Sequence, residues 1–130
     1  DHFPEYRLLA MIKRNATIVE TLNLAAEIHA SDFVVVNDNL KYQGILTLRN
    51  VDYEITKKLG DTKVPVSRFM DKSVPYVKPE DKLSKALDVI MRHDVDKVAV
   101  VEGELTVGYI RSKDIFEAYT QQLKQKKDNS

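Results

Sequence analysis

Residues able to do chemistry are sparse in this sequence. No cysteine is present, which removes disulfides, thiolate nucleophiles and cysteine-ligated metal centres together. His2, His29 and His93 lie far apart, and no carboxylate pair stands beside them at a ligand spacing, so no metal site is expected. A glycine-rich phosphate loop, a dinucleotide fingerprint and a nucleophile turn are all missing, and no catalytic activity is expected. What remains are two polar clusters, each a few residues past a glycine: Thr47 and Asn50 after Gly44, and Arg111, Ser112 and Asp114 after Gly108. The Asp114 carboxylate offers two charged acceptor oxygens, whereas Asn50 accepts through one uncharged carbonyl. Arg111 can meet an anion bidentately or fill the space itself. In the first turn of a helix, Asp114 and Asn50 would also cap free N–H groups, and Ser112 is a natural N-cap.

The elements that position these clusters occur twice. Gly44-Ile45-Leu46-Thr47-Leu48-Arg49-Asn50-Val51 returns 64 residues later as Gly108-Tyr109-Ile110-Arg111-Ser112-Lys113-Asp114-Ile115. At that offset Val51, Ile55 and Leu59 map onto Ile115, Tyr119 and Leu123, an apolar stripe at helical spacing in both copies. Upstream, Leu22, Ala25, Ala26 and Ile28 form one apolar helical face, and Leu83, Ala86, Leu87 and Ile90 form another. Asp81 is the expected N-cap of the second of these helices, and the first lacks so clean a start. Apolar runs at 33–36 and 98–101 read as strands covered on both faces. Polar turns carry each into a second strand, at 42–48 and 106–111. Short leading strands are expected at 17–19 and 75–77, with a lead-in helix over 5–13.

Each copy therefore reads as β-α-β-β-α, an α/β (α+β) unit too small to bury both faces alone. Two such units should pack with pseudo-twofold symmetry: repeat 1 over 15–60, repeat 2 over 66–124, a linker at 61–65, a leading segment over 1–14 and a frayed tail at 125–130. The 130 residues suffice for one such body. Twenty basic and twenty acidic residues cancel, so the net field that nucleic-acid binding draws on is absent. No apolar run reaches the roughly 20 residues of a membrane span. The chain opens without methionine, as an excised piece of a longer protein would.

The duplicated unit, with Gly-hydrophobic-hydrophobic-Thr-x-x-Asp opening each last helix, resembles the cystathionine β-synthase (CBS) domain pair, or Bateman module. The wording of Tyr42 to Arg49, of Val66-Ser67-Arg68-Phe69-Met70, and of Gly108 to Ile115 is most like the cytoplasmic tail of bacterial voltage-gated chloride channel family proteins. The resemblance implies a regulatory module on the cytoplasmic side of a membrane transport domain, a homodimer through the outer helices at 49–59 and 112–124, and AMP, ADP or ATP as a regulatory ligand in the cleft between repeats. In the family the motif hydroxyl approaches phosphate and the carboxylate accepts from both ribose hydroxyls. This sequence splits that pattern, keeping Thr47 with Asn50 in one copy and Asp114 with Arg111 in the other. The best nucleotide site it implies is the cleft around Asp114, with Ser112 and Arg111 near phosphate and Tyr76 and Val77 as apolar walls. A ligand-free dimerisation scaffold, or a regulatory pair of another transporter or enzyme, is the alternative.

Overall fold

A computed structural model of the chain describes residues 3–51 and 63–128. Its elements run β1 (Met11–Lys13), α1 (Ile18–Ile28), β2 (Asp32–Val36), β3 (Tyr42–Thr47), α2 (Leu83–His93), β4 (Lys97–Glu102), β5 (Leu105–Arg111) and α3 (Ser112–Asp128). One-turn 3₁₀ segments occupy Leu48–Asn50 and Val66–Arg68.

Both expected hairpins form. β2 pairs antiparallel with β3, and β4 with β5. All five residues of β2 are buried, as are Lys97 to Val101 of β4, in keeping with apolar runs covered on both faces. Each pairing slips at one point, between Val35 and Val36 and between Val100 and Val101, so even the irregularity recurs.

The leading strand of the first copy is not at 17–19. Thr17 instead caps α1, its Oγ1 accepting the Glu20 N–H at 3.2 Å, so the helix expected to start poorly has the better start. The strand is β1, parallel to β2 with Ile12 opposite Val35. The lead-in helix at 5–13 is likewise absent, because Arg7 pairs in extended form with Tyr109 and Met11–Lys13 joins the sheet. The apolar spacing of Tyr6, Leu9 and Ile12 fits a helix, but β5 takes the backbone of Arg7 and β2 that of Ala10 to Lys13, with a turn at Leu9–Ala10 between. In the second copy Val77 alone forms the leading rung, parallel to Val100.

Other boundaries move too. Asp81 does not cap α2: its carboxylate closes the preceding turn on the Lys78 N–H at 2.7 Å, and Lys82 takes the cap position. Residues 64–66 are no free linker, since Ile18 N–H bonds Val64 O and Val66 N–H bonds Ala16 O. α3 continues to Asp128, so residues 125–128 of the expected tail are helical. Of the outer helix expected at 49–59, Arg49 and Asn50 lie in the 3₁₀ turn Leu48–Asn50 and residues 52–59 lie outside the described residues.

The two copies are related residue by residue. Ile12 pairs parallel with Val35 as Val77, 65 residues on, pairs parallel with Val100, and His29 and Asp94, also 65 apart, both end their helices in the left-handed region at φ 56° and 52°. The motif glycines have matching surroundings. Arg7 bridges Tyr109 beside Gly108, and Asp71, 64 residues on, bridges Ile45 beside Gly44. Each copy thus sends its leading backbone across to the other copy's hairpin. A Cβ on Gly44 would lie 2.5 Å from Asp71 O, and one on Gly108 would lie 2.8 Å from Arg7 O. With φ near +154° at both, glycine is required by close approach and by conformation together.

Candidate ligand cleft between the repeats

Asp114 sits at the third position of α3 and is 5% exposed. Its Oδ2 accepts the N–H of Arg111 at 3.1 Å, the backward reach of an acidic residue in a first turn. Two guanidinium groups then close on it. Arg111 donates through Nε and Nη2 at 3.1 and 2.9 Å, and Arg7 through Nε and Nη2 at 3.0 and 3.1 Å. Burial works against its ionisation, but the hydrogen bonds from Arg111 and Arg7 outweigh it and hold the carboxyl well below the usual carboxylate range. The same bonds raise the Arg111 pKa. Both acceptor oxygens are therefore occupied, and Arg111 folds back onto Asp114.

Beside this triad lies a cleft of about 300 Å³, lined by Arg7, Lys97, Arg111, Ser112 and Lys113 with Leu9, Ala10, Ile28, Ala30, His29, Asp96 and Tyr109. Four cations border it, two of them shared with Asp114, against the single carboxylate of Asp96 on its lining, so the cleft is cationic, and the positive end of the 17-residue α3 stands at its edge. Lys97 opens β4 and is 3% exposed. Its Nζ donates to Asp32 O at 2.6 Å, stands 3.1 Å from Asp96 Oδ1 and lies 5.3 Å above the Tyr109 ring. These contacts offset the cost of burying an ammonium group. Tyr109 is held in turn, its hydroxyl accepting the Ala10 N–H at 3.0 Å.

The pseudo-twofold axis relates this cleft to a second one of about 210 Å³, lined by Ser31, Asp32, Arg49, Asp94, Val95 and Asp96. Equivalent positions carry opposite chemistry: Asp32 stands where Lys97 does, Asp94 where His29 does, and Thr47 where Arg111 does. Asp32 is buried, accepts the Asp96 N–H at 2.7 Å, and has its pKa raised chiefly by burial. Arg49 closes the opening, its Nη1 3.0 Å from Asp94 Oδ2 and its Nη2 donating to Asp94 O. Three carboxylates leave this side unsuited to phosphate. Thr47 is buried with no hydrogen-bond partner for its hydroxyl, and Asn50 lies in the 3₁₀ turn that the Val51 N–H closes on Leu48 O.

The candidates thus divide. Asp114, Arg111 and Ser112 come together as expected, but Thr47 belongs to the opposite repeat. Tyr76 and Val77 line neither the cationic cleft nor the smaller cavity that Asp114 borders. Val77 is a core residue paired with β4, and Tyr76 packs edge-on against Tyr42, ring centroids 5.8 Å apart. The apolar wall comes instead from Leu9, Ala10 and Ile28. Sequence reasoning missed Arg7, Lys97 and Lys113. Lys97 could have been found: a lysine directly before Val-Ala-Val-Val mirrors Asp32 before Phe-Val-Val-Val, and a charge at the mouth of a buried strand needs a reason. Arg7 had no such signal, because its segment was read as a helix.

Residues 66–121 match the family model of the CBS domain. The solved CBS domain pair/ACT domain protein of Thermotoga maritima superposes with a TM-score of 0.74, covering 88% of this chain and 91% of that one at 20% identity. The CBS domains of a transcriptional regulator from Streptococcus pneumoniae give 0.72, covering 86% and 92% at 20% identity. Inosine-5'-monophosphate dehydrogenase of Aquifex aeolicus (strain VF5) is 31% identical over 106 residues, which are 80% of this chain; the match spans 21% of the dehydrogenase's length. The second repeat thus matches the CBS domain, and the chain has the fold of a CBS domain pair. Among the described residues no helix is long and apolar enough to cross a membrane.

Proposed function

We propose that the chain is a regulatory CBS pair that takes an adenine nucleotide into the cationic cleft. The phosphates would meet Lys97, Arg111, Lys113 and the start of α3, the base would lie against Leu9, Ala10 and Ile28, and the ribose would turn toward Asp114. The observation carrying this reading is the convergence of four cations and a helix N-terminus on a cavity of about 300 Å³ with an apolar wall, near the lower end of the range for small-molecule sites. Regulation requires that the ligand bind two arrangements of the repeats unequally. Calorimetry with AMP, ADP and ATP tests it. Heat should appear with at least one of them and fall about tenfold in affinity in Lys113→Ala, as expected for losing one charge-assisted contact. Silence with all three at millimolar concentration rejects the reading.

A ligand-free dimerisation scaffold is the second reading, favoured by the fully bonded Asp114. α3 supports dimerisation under either one: Phe116 is 56% and Leu123 69% exposed on it, beside a groove lined by Lys113, Phe116, Thr120 and Gln121. Sedimentation should show a dimer that Phe116→Asp with Leu123→Asp turns into monomer. A monomeric wild-type chain rejects it. For the host, the motif wording supports a chloride-transport protein with this module on its cytoplasmic side. The sequence preceding residue 1 in the full protein decides that, since a transport domain there must contain apolar segments of about 20 residues.

A further inference from the structure

Arg7 is the odd member of the cluster around Asp114. It is contributed by neither motif, it lies 107 residues away in sequence, and its segment is held by the paired backbone bonds Arg7 N–H to Tyr109 O and Tyr109 N–H to Arg7 O, 2.9 and 3.0 Å. Its side chain lines the cationic cleft on one side and, on the other, a cavity of about 290 Å³ that also borders Asp114 and Glu117. Asp114 itself does not line the cationic cleft. Arg7 therefore stands between the space where a ligand would lie and the Asp114 carboxylate.

We infer that Arg7 is a tethered competitor for the ligand's ribose: its guanidinium takes the Asp114 oxygens that a vicinal diol needs, and a bound nucleotide displaces it, loosening residues 3–9 from the second repeat. The inference rests on the nucleotide reading above and adds its regulation. A guanidinium presents two parallel N–H donors to a carboxylate, as two adjacent hydroxyls do, so the two cannot be accommodated together. Arg111 stays in place through its own backbone and side-chain bonds to Asp114. Arg7 is the member able to leave, being 47% exposed and carried on a segment without helix or sheet beyond its single bridge. Apparent affinity is divided by the fraction of molecules with Arg7 swung away, so removing Arg7 should raise it.

The test is calorimetric titration of ADP and of tripolyphosphate, which has no sugar, into the wild-type chain and Arg7→Ala. ADP should bind Arg7→Ala about tenfold tighter, whereas tripolyphosphate, which only loses a cation, should bind it no tighter than wild type. Weaker or equal ADP binding by Arg7→Ala, with wild type binding normally, overturns the competitor role and leaves the nucleotide reading intact. Absence of binding by both proteins to AMP and ATP as well as ADP rejects the nucleotide reading and this inference with it. Should Arg7→Ala not fold, hydrogen exchange on wild type serves: amides of residues 3–9 should exchange several-fold faster when ADP saturates the protein, and unchanged or slower exchange overturns the proposal.

Discussion

Replacing Gly44 with alanine puts the crossed arrangement of the repeats to its most direct test. The added Cβ would stand 2.5 Å from Asp71 O and 3.1 Å from its carbonyl carbon, both backbone atoms that no side-chain rotation relieves. The crossing segment must withdraw, losing the bonds Ile45 N–H to Asp71 O and Asp71 N–H to Ile45 O, 3.1 and 2.7 Å. Two such bonds contribute about 1 kcal/mol each, and a non-glycine residue held at an unfavourable φ costs about 1–3 kcal/mol more. The expected destabilisation is therefore about 3–5 kcal/mol, a fall in Tm of roughly 10–20 °C for a chain of this size. Gly108→Ala should cost less, about 2–3 kcal/mol, because the obstructing backbone at Arg7 belongs to a segment that can lift without opening the core. Gly103→Ala is the control: its φ of 64° is also left-handed, but nothing lies within 4 Å of the new Cβ, so only about 1–2 kcal/mol of conformational strain is expected. Urea unfolding at equilibrium measures all three. The reasoning fails if Gly44→Ala loses no more than Gly103→Ala, since the obstruction would then count for nothing.

Three further variants follow from the described contacts. Asp114→Asn leaves Arg7 and Arg111 facing a neutral group and should destabilise by about 2–3 kcal/mol at pH 7, toward the low end because both arginines are partly solvated. Because the folded pKa of Asp114 lies below the unfolded value near 3.9, its contribution is complete above that value and drains away as the pH drops through the folded pKa; wild type and variant should therefore converge in chemical denaturation run at progressively lower pH. Thr17→Ala removes the acceptor for the Glu20 N–H and should lower stability by about 1 kcal/mol, whereas Asp81→Ala should leave the start of α2 intact by amide exchange, since Lys82 holds the cap position.

The doubling of the chain was legible because glycine and apolar stripe recur at one offset, and both hairpins followed from short β-branched runs broken by polar turns. The leading strands were not legible. Met11–Lys13 is three residues long, below the length at which alternation can be told from helical spacing, and its partner β2 lies more than twenty residues on. Asp81 misled for a different reason: aspartate closes turns and caps helices through the same acceptor geometry, and here Lys78 N–H was the nearer donor. At the cleft, the motif residues were visible in the sequence, but their use was not. How fully the Asp114 oxygens are taken up depends on Arg7, a residue 107 positions earlier whose placement only the folded chain reveals. The sign of the charge in each cleft was likewise hidden until Asp32 and Lys97 were seen to occupy the same place in opposite halves.

The traded rungs at Arg7 and Asp71 bear on how such a chain could arise. Neither half completes its own hairpin edge, so a solitary ancestral copy would have carried an open seam that only a sister molecule could close by lending the same stretch of backbone. Fusion into one polypeptide made that loan internal and permanent, and it freed the two halves to diverge in charge, one mouth turning basic and the other acidic, without either losing the neighbour that keeps it folded.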